Sequence, residues 1–224
     1  MITVQESTTK NPISIIGYEA GVCWGADIED EGKNHKRGLD CIDANHGRTL
    51  EFVQIYLTID KYSARVMREL YTHIGGAPTR LQASTRYIDY GDFDYITPPK
   101  IGAFDKAKDI YNRVMDEIKK GSKELQALGI PKEDIANLYP LGMESKMVLK
   151  TNLRNLIDMS HQRMCNRAYW EYRRMMNDIV EALDNYSPEW HELVSMNVFK
   201  PKCDVYGYCT ETKSCGRKEK KKND

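Results

Sequence analysis

Residues 50–73, "LEFVQIYLTIDKYSARVMRELYTH", change their hydrophobic period midway. Val53, Ile55, Leu57 and Ile59 recur at every second residue, which puts them on one face of an extended strand. From Asp60 onward, Tyr62, Val66, Leu70 and His73 recur at steps of three or four, the spacing of one face of a helix. A half-buried strand that feeds directly into an amphipathic helix needs a sheet with helices packed on it. The fold class this predicts is mixed α/β.

The rest of the chain extends that reading. "ISIIGYEAG" (13–21) and "ASTRYIDY" (83–90) read as strands, "TPPKIG" (97–102) as a break, and "SKMVLKT" (145–151) as a short strand. Phe104, Ala107, Ile110, Tyr111, Val114 and Ile118 form the stripe of a helix, and a second long helix is expected from Asn152 to Asp184. There is no internal repeat. The length of 224 residues suits one domain, taken as 1–200, followed by a Cys-containing basic tail over 201–224 that ends in the solvated run "CGRKEKKKND".

Charge and composition exclude several partners. Lys plus Arg equals Asp plus Glu at 33 each, so neither nucleic acid nor an anionic membrane is an expected partner, and any anion site has to be local. Apolar runs fall far short of the ~20 residues of a membrane span, and Met1 to Gln5 lack the start of a signal peptide. A cytoplasmic protein with mostly reduced cysteines is the expectation. A glycine-rich GxGxxG turn after a strand and a P-loop are both absent, so no standard dinucleotide pocket is written into one chain.

Two stretches carry candidate chemistry. "YTHIGGAPTRLQASTRY" (71–87) follows a helix with glycines, then hydroxyl-bearing residues and Arg86, which together offer backbone N–H groups, two hydroxyls and a guanidinium. Such a loop either cradles a phosphate or is an ordinary turn with Arg86 in a surface ion pair. "TNLRNLIDMSHQRMCNRAYWEYR" (151–173) falls on the second long helix. There Asn152, Leu156, Met159, Arg163, Arg167 and Trp170 share a broad face and Arg154 points away. Guanidinia beside apolar side chains need a neutralising partner, either acids such as Glu171 and Asp158 or a bound anion.

Taken in order, these runs resemble the flavin-dependent thymidylate synthase family. "HGRTLEFV" supplies His46, Arg48 and Glu51 in the family's H-x-x-x-x-E arrangement, "STRY" at Ser84–Tyr87 matches S-x-R-Y, and "NLRNL", Arg163 and "AYWE" stand at the intervals of the family's last helix. The resemblance covers roughly residues 40–175. It implies a mixed α+β fold with a central, mostly antiparallel sheet and long helices. It also implies a homotetramer with shared active sites, FAD as cofactor, and dUMP, methylenetetrahydrofolate and NADPH as substrates. The product is expected to be thymidylate, made by reductive methylation.

Residue roles carried by the resemblance are these. Gln82, Ala83, Ser84, Thr85 and Arg86 are expected to bind dUMP, with Arg86 on the phosphate, and Arg163 to meet the uracil edge as the catalytic residue. His46, Arg48, Glu51, His73, Arg80, Asn152, Arg154, Asp158 and Arg167 are expected to contact the flavin, and no metal is expected. The chain departs from the family's R-H-R segment, where it has Thr72, His73 and Ile74, so that Arg80 or Arg68 is left to stand in. Tyr169 replaces a glutamine common at its place. Two alternatives stay open: a sister reaction that gives hydroxymethyl-dUMP, and a non-catalytic nucleotide- or RNA-binding module with Cys203, Cys209 and Cys215 in a zinc knuckle.

Overall fold

The computed structural model describes residues 1–221; Lys222, Asn223 and Asp224, the last of the basic tail, lie outside the described residues. In chain order the elements are β1 (Ile2–Val4), α1 (Pro12–Trp24), α2 (Glu31–Asp43), α3 (Gly47–Leu50), β2 (Gln54–Ser63), α4 (Ala64–Leu70) and β3 (Thr79–Gln82). There follow α5 (Pro99–Gly102), α6 (Asp105–Ala127), α7 (Lys132–Ile135), β4 (Glu144–Asn152), α8 (Leu153–Arg163), α9 (Trp170–Asp184), α10 (Pro188–Ser195) and α11 (Lys202–Tyr206). The strands form one antiparallel sheet in the order β1-β2-β4-β3. The expected mixed class with a mostly antiparallel sheet is therefore what the chain adopts.

The chain divides into two compact units. One holds Met1–Thr58, His73–Arg80 and the chain from Val148 onward; the other holds Ile59–Thr72 and Leu81–Met147. The first unit is built around Ile13, Ile16, Ile55, Leu57, Leu153, Leu156, Tyr172, Met175, Ile179 and Trp190, all fully buried. Burying each such side chain stabilises by ~1.5–3 kcal/mol. In the second unit Phe93, Met115 and Met143 are buried under Tyr90, Tyr95, Tyr111 and Tyr139. The Phe93 and Tyr139 rings meet edge to face at 5.7 Å, and Lys119 Nζ sits 5.5 Å from the Phe93 centroid.

Several sequence expectations change. "ISIIGYEAG" is not a strand but the body of α1. Ile13, Ile16, Gly17, Ala20 and Gly21 are buried at helical spacing, Pro12 opens the first turn, and Gly25 closes the helix in the left-handed region at φ 64°. The two glycines serve close packing: a Cβ on Gly17 would stand 1.8 Å from the Asn34 carbonyl oxygen of α2, and one on Gly38 2.0 Å from that of Ile13.

The strand from residue 50 begins later and runs on to Ser63, and the helix expected from Asp60 starts only at Ala64. Ser63 caps that helix by accepting from Val66 N at 3.2 Å, and Ala64 N and Arg65 N donate to the carbonyls of Met143 and Leu141 instead of continuing the strand. "ASTRYIDY" is a turn, because the Ser84 hydroxyl accepts from Arg86 N and the Ser84 carbonyl from Tyr87 N and Ile88 N; β3 is the four residues before it. "TPPKIG" contains the short helix α5, which its prolines start rather than prevent.

The helix expected from Asn152 to Asp184 is two helices, broken over 164–169 without a glycine or proline. The Arg173 guanidinium takes the place of a sequence breaker, since Nη1 donates to the Asn166 carbonyl at 2.6 Å and to the Ala168 carbonyl at 2.7 Å. Carbonyls left open by the interruption are thereby satisfied.

Candidate active site

Arg163 stands at the last position of α8, and the break after it turns the first turn of α9 back against its side chain. The Arg163 Nε donates to His73 Nε2 at 2.9 Å. Because a guanidinium only donates, His73 accepts on Nε2 and carries its own proton on Nδ1. On its other side the Arg163 guanidinium lies over the ring of Tyr172, 4.5 Å from the centroid, a cation–π distance. His73 meets the same ring edge-on at 5.9 Å, and Tyr172 has no exposed surface. Glu171, equally buried, accepts from the Tyr169 hydroxyl at 3.2 Å.

The electrostatics keep His73 neutral. Burial, then the nearby charges of Arg163 and Arg80, push its pKa from 6.5 down to about 4. Arg80 also holds the backbone there, since Nη2 donates to the His73 carbonyl at 2.9 Å.

The glycines of the 71–87 stretch have a steric reason. Gly76 lies in the left-handed region at φ 67°, and a Cβ there would stand 2.5 Å from Asn152 Nδ2, while one on Gly75 would stand 3.1 Å from Asn155 Oδ1. Asn152 itself is buried and caps α8, its Oδ1 accepting from Asn155 N at 2.9 Å. The loop backbone thus packs directly against the side chains of the helix cap, and the left-handed φ favours glycine at position 76.

A second group gathers where α3 meets α8. Arg154 Nη1 and Glu51 Oε1 form an ion pair at 2.6 Å, and the Arg154 guanidinium lies against Gly47. His46 and Arg48, which flank that glycine, are exposed, and Trp24 meets His46 edge-on at 6.0 Å. Asp158 is exposed on α8, where its charge offsets part of the downward pKa shift that burial gives His161. Arg167 is not on the face of α8 as expected; it falls in the interruption and donates from Nη1 to the Lys213 carbonyl at 2.6 Å.

The third group belongs to the second unit. Gln82 Nε2 donates to Ser145 Oγ at 3.2 Å, and Ala83 N to the Lys146 carbonyl at 2.8 Å. Beyond them Ser84, Thr85 and Arg86 form the turn already described. Arg86 carries the surface ion pair of the ordinary-turn alternative, Nε to Glu133 Oε2 at 2.9 Å, with both side chains more than half exposed. An exposed pair of this kind is worth little, so the Arg86 guanidinium leaves Glu133 at small cost.

Sequence reasoning missed Tyr172 and Trp24. The aromatic run "AYWEY" was the available signal for Tyr172, but on a continuous helix it falls on the wrong turn to meet Arg163. For the zinc alternative, no three His, Cys, Asp or Glu side chains among the described residues stand together as a metal site. No described helix is long and apolar enough to cross a membrane.

Comparison with known proteins matches residues 6–189 to the sequence family described as thymidylate synthase complementing protein. Over 231 residues the chain is 26% identical to the flavin-dependent thymidylate synthase of Nitratidesulfovibrio vulgaris, with 93% of this chain and 91% of that protein covered. It is 25% identical to the enzyme of the same description from Clostridium tetani, covering 93% and 90%. The fold is similar to that of thymidylate synthase X from Helicobacter pylori, solved with FAD and dUMP. The TM-score is 0.66 at 15% identity, over 89% of this chain and 99% of that one.

Proposed function

The chain belongs to the thymidylate synthase complementing protein family, and from that premise we propose that it is a flavin-dependent thymidylate synthase. Its reaction is the methylation of dUMP at C5, with methylenetetrahydrofolate as carbon donor, FAD as cofactor and NADPH as reductant. The observation that carries the reading is Arg163, a permanently charged planar fork set between a neutral histidine and a buried aromatic ring.

The residues fit a flavin. Exposed Arg154 with His46 and Arg48 presents cationic and hydrogen-bonding groups for a diphosphate. His46, Arg48, Glu51, His73, Arg80, Asn152, Arg154, Asp158 and Arg167 remain the proposed flavin residues. When bound, the flavin supplies the hydride that completes the methyl group.

The chain's own residues bind and stabilise. Arg86 takes the nucleotide phosphate in place of Glu133, and the turn at Ser84 and Thr85 adds hydroxyl and N–H donors; Gln82 and Ala83 hold that turn on β4. Arg163 donates to the uracil edge and offsets the negative charge that builds as C5 becomes nucleophilic, an interaction stronger in the transition state than in the bound substrate.

Assembly into a homotetramer with shared sites is part of the proposal. The His46, Arg48 and Arg154 group and the Arg86 turn lie on open surface, while cavities of about 530 and 390 Å³ are lined by other side chains. Open surface of this kind is what a site completed by a second copy requires.

Purified protein should be yellow, its flavin spectrum should shift on adding dUMP, and its product should exceed dUMP by one methylene. A product heavier by a further oxygen would replace the methylation with hydroxymethylation. A colourless protein that binds no FAD would overturn the reading.

A further inference from the structure

We propose that Tyr172 and His73 are positioning residues for Arg163: the Tyr172 ring sets the plane of the guanidinium, and the His73 Nε2 lone pair sets its rotation within that plane. The inference rests on Arg163 meeting the uracil.

An arginine side chain has four rotatable bonds and loses much rotamer freedom when it must point one way. Two of its contacts restrict it in different ways. The ring contact at 4.5 Å opposes tilting, because the guanidinium would leave the face of the aromatic quadrupole. A ring contact alone leaves the fork able to swivel over the face, and the 2.9 Å bond from Nε to His73 removes that freedom. The two contacts therefore do different work.

Both supports are themselves anchored. Tyr172 is fully buried in the first turn of α9, whose start is fixed by Arg173 on the carbonyls of Asn166 and Ala168. The His73 backbone is held by Arg80, and the His73 ring leans edge-on against Tyr172. With Nε2 committed to Arg163, His73 keeps only Nδ1–H for any other partner, so its main effect passes through Arg163. A protonated imidazole would present a donor and a like charge to the guanidinium. Burial keeps the ring neutral through the physiological range.

The test uses the flavin-loaded enzyme, reduced chemically and mixed with dUMP and methylenetetrahydrofolate, with rates normalised to bound flavin. His73→Leu removes the acceptor, His73→Gln offers an amide oxygen near the same place, Tyr172→Leu removes the aromatic face and Tyr172→Phe keeps it. Turnover should fall about tenfold in each leucine variant while KM for dUMP changes by less than about threefold, and the glutamine and phenylalanine variants should recover most of the loss.

Equal losses in the leucine and conservative variants, or losses that appear in KM or flavin affinity and not in kcat, would overturn the inference. Should Tyr172→Leu not fold, the His73 pair decides alone. Arg163→Lys separates the premise: if it retains the wild-type rate the assignment of Arg163 has failed, and if it is slow while the leucine variants are fast only the positioning inference has failed.

Discussion

The neutral state of His73 gives the protein a pH-dependent stability that one substitution should remove. Its imidazole titrates at about 4 in the folded chain against 6.5 for the free group. A lowered histidine pKa means that the unfolded chain binds the proton more readily. The stability contribution is therefore complete above about pH 6.5 and is lost as pH falls toward 4.

The mechanism is local, since the added proton would sit on Nε2 and face Arg163 Nε–H across 2.9 Å. Between about pH 8 and about pH 5 the two titration curves differ by roughly 2 kcal/mol, and discounting for partial exposure and screening leaves about 1 kcal/mol. In His73→Gln this increment is absent, while the carboxylates that titrate elsewhere are unchanged and cancel in the comparison. Urea unfolding of both proteins at about pH 8 and about pH 5 measures the difference, with equal m-values required. Wild type should lose about 1 kcal/mol more than the variant over that window. Identical losses would refute the neutral assignment, as would an NMR titration that places the His73 ring near 6.5.

Four further substitutions have outcomes fixed by the geometry. Gly17→Ala puts a methyl 1.8 Å from a backbone oxygen of α2, so α1 and α2 must separate; a loss of roughly 3 kcal/mol, net of the ~1 kcal/mol helix-propensity gain, should lower the melting temperature markedly. At Gly25, where nothing stands within 4 Å and only the left-handed φ matters, alanine should cost about 1 kcal/mol, and calorimetric melting that ranks the two sites equally would contradict the packing account. Arg86→Ala should leave thermal stability within about 0.5 kcal/mol, because its ion pair is exposed, yet weaken dUMP binding ~30- to 1000-fold by isothermal titration, and unchanged affinity would remove Arg86 from the phosphate site. Arg173→Met should destabilise by about 2 kcal/mol through two lost carbonyl contacts, with raised hydrogen exchange confined to residues 164–169, and unaltered exchange there would show that the loop holds itself.

What was legible in the sequence follows the range of the interactions involved. The face of Val53, Ile55, Leu57 and Ile59 is a period-two pattern set by near neighbours, and all four are fully buried. The α6 helix and the β4 strand follow from the same kind of pattern, although Phe104 of the expected α6 stripe precedes the helix and Phe104, Ile110 and Val114 are exposed. For "ASTRYIDY" and "TPPKIG" the missed signals were local turn and helix-start chemistry, whereas for "ISIIGYEAG" the deciding partner lay on the next helix. "ISIIGYEAG" is rich in β-branched residues and looks like a strand by propensity, yet Gly17 and Gly38 let two helices approach at backbone contact, and that crossing outweighs local preference. Pro12 and Gly25 were the local helix signals that could have corrected it.

The candidate site divides in the same manner. Its residue types and spacings were visible, since motif order survives divergence. The break between α8 and α9 was not, because Arg173 makes it by satisfying carbonyls rather than by any helix-breaking residue. That break is also what gives Arg163 its surroundings. A continuous helix would carry Tyr172 nine residues on, about 13 Å along the axis, out of reach of the guanidinium. Folding the chain back brings the two to 4.5 Å. The interruption that periodicity could not show is therefore the step by which an arginine on a helix face becomes an arginine held on an aromatic ring.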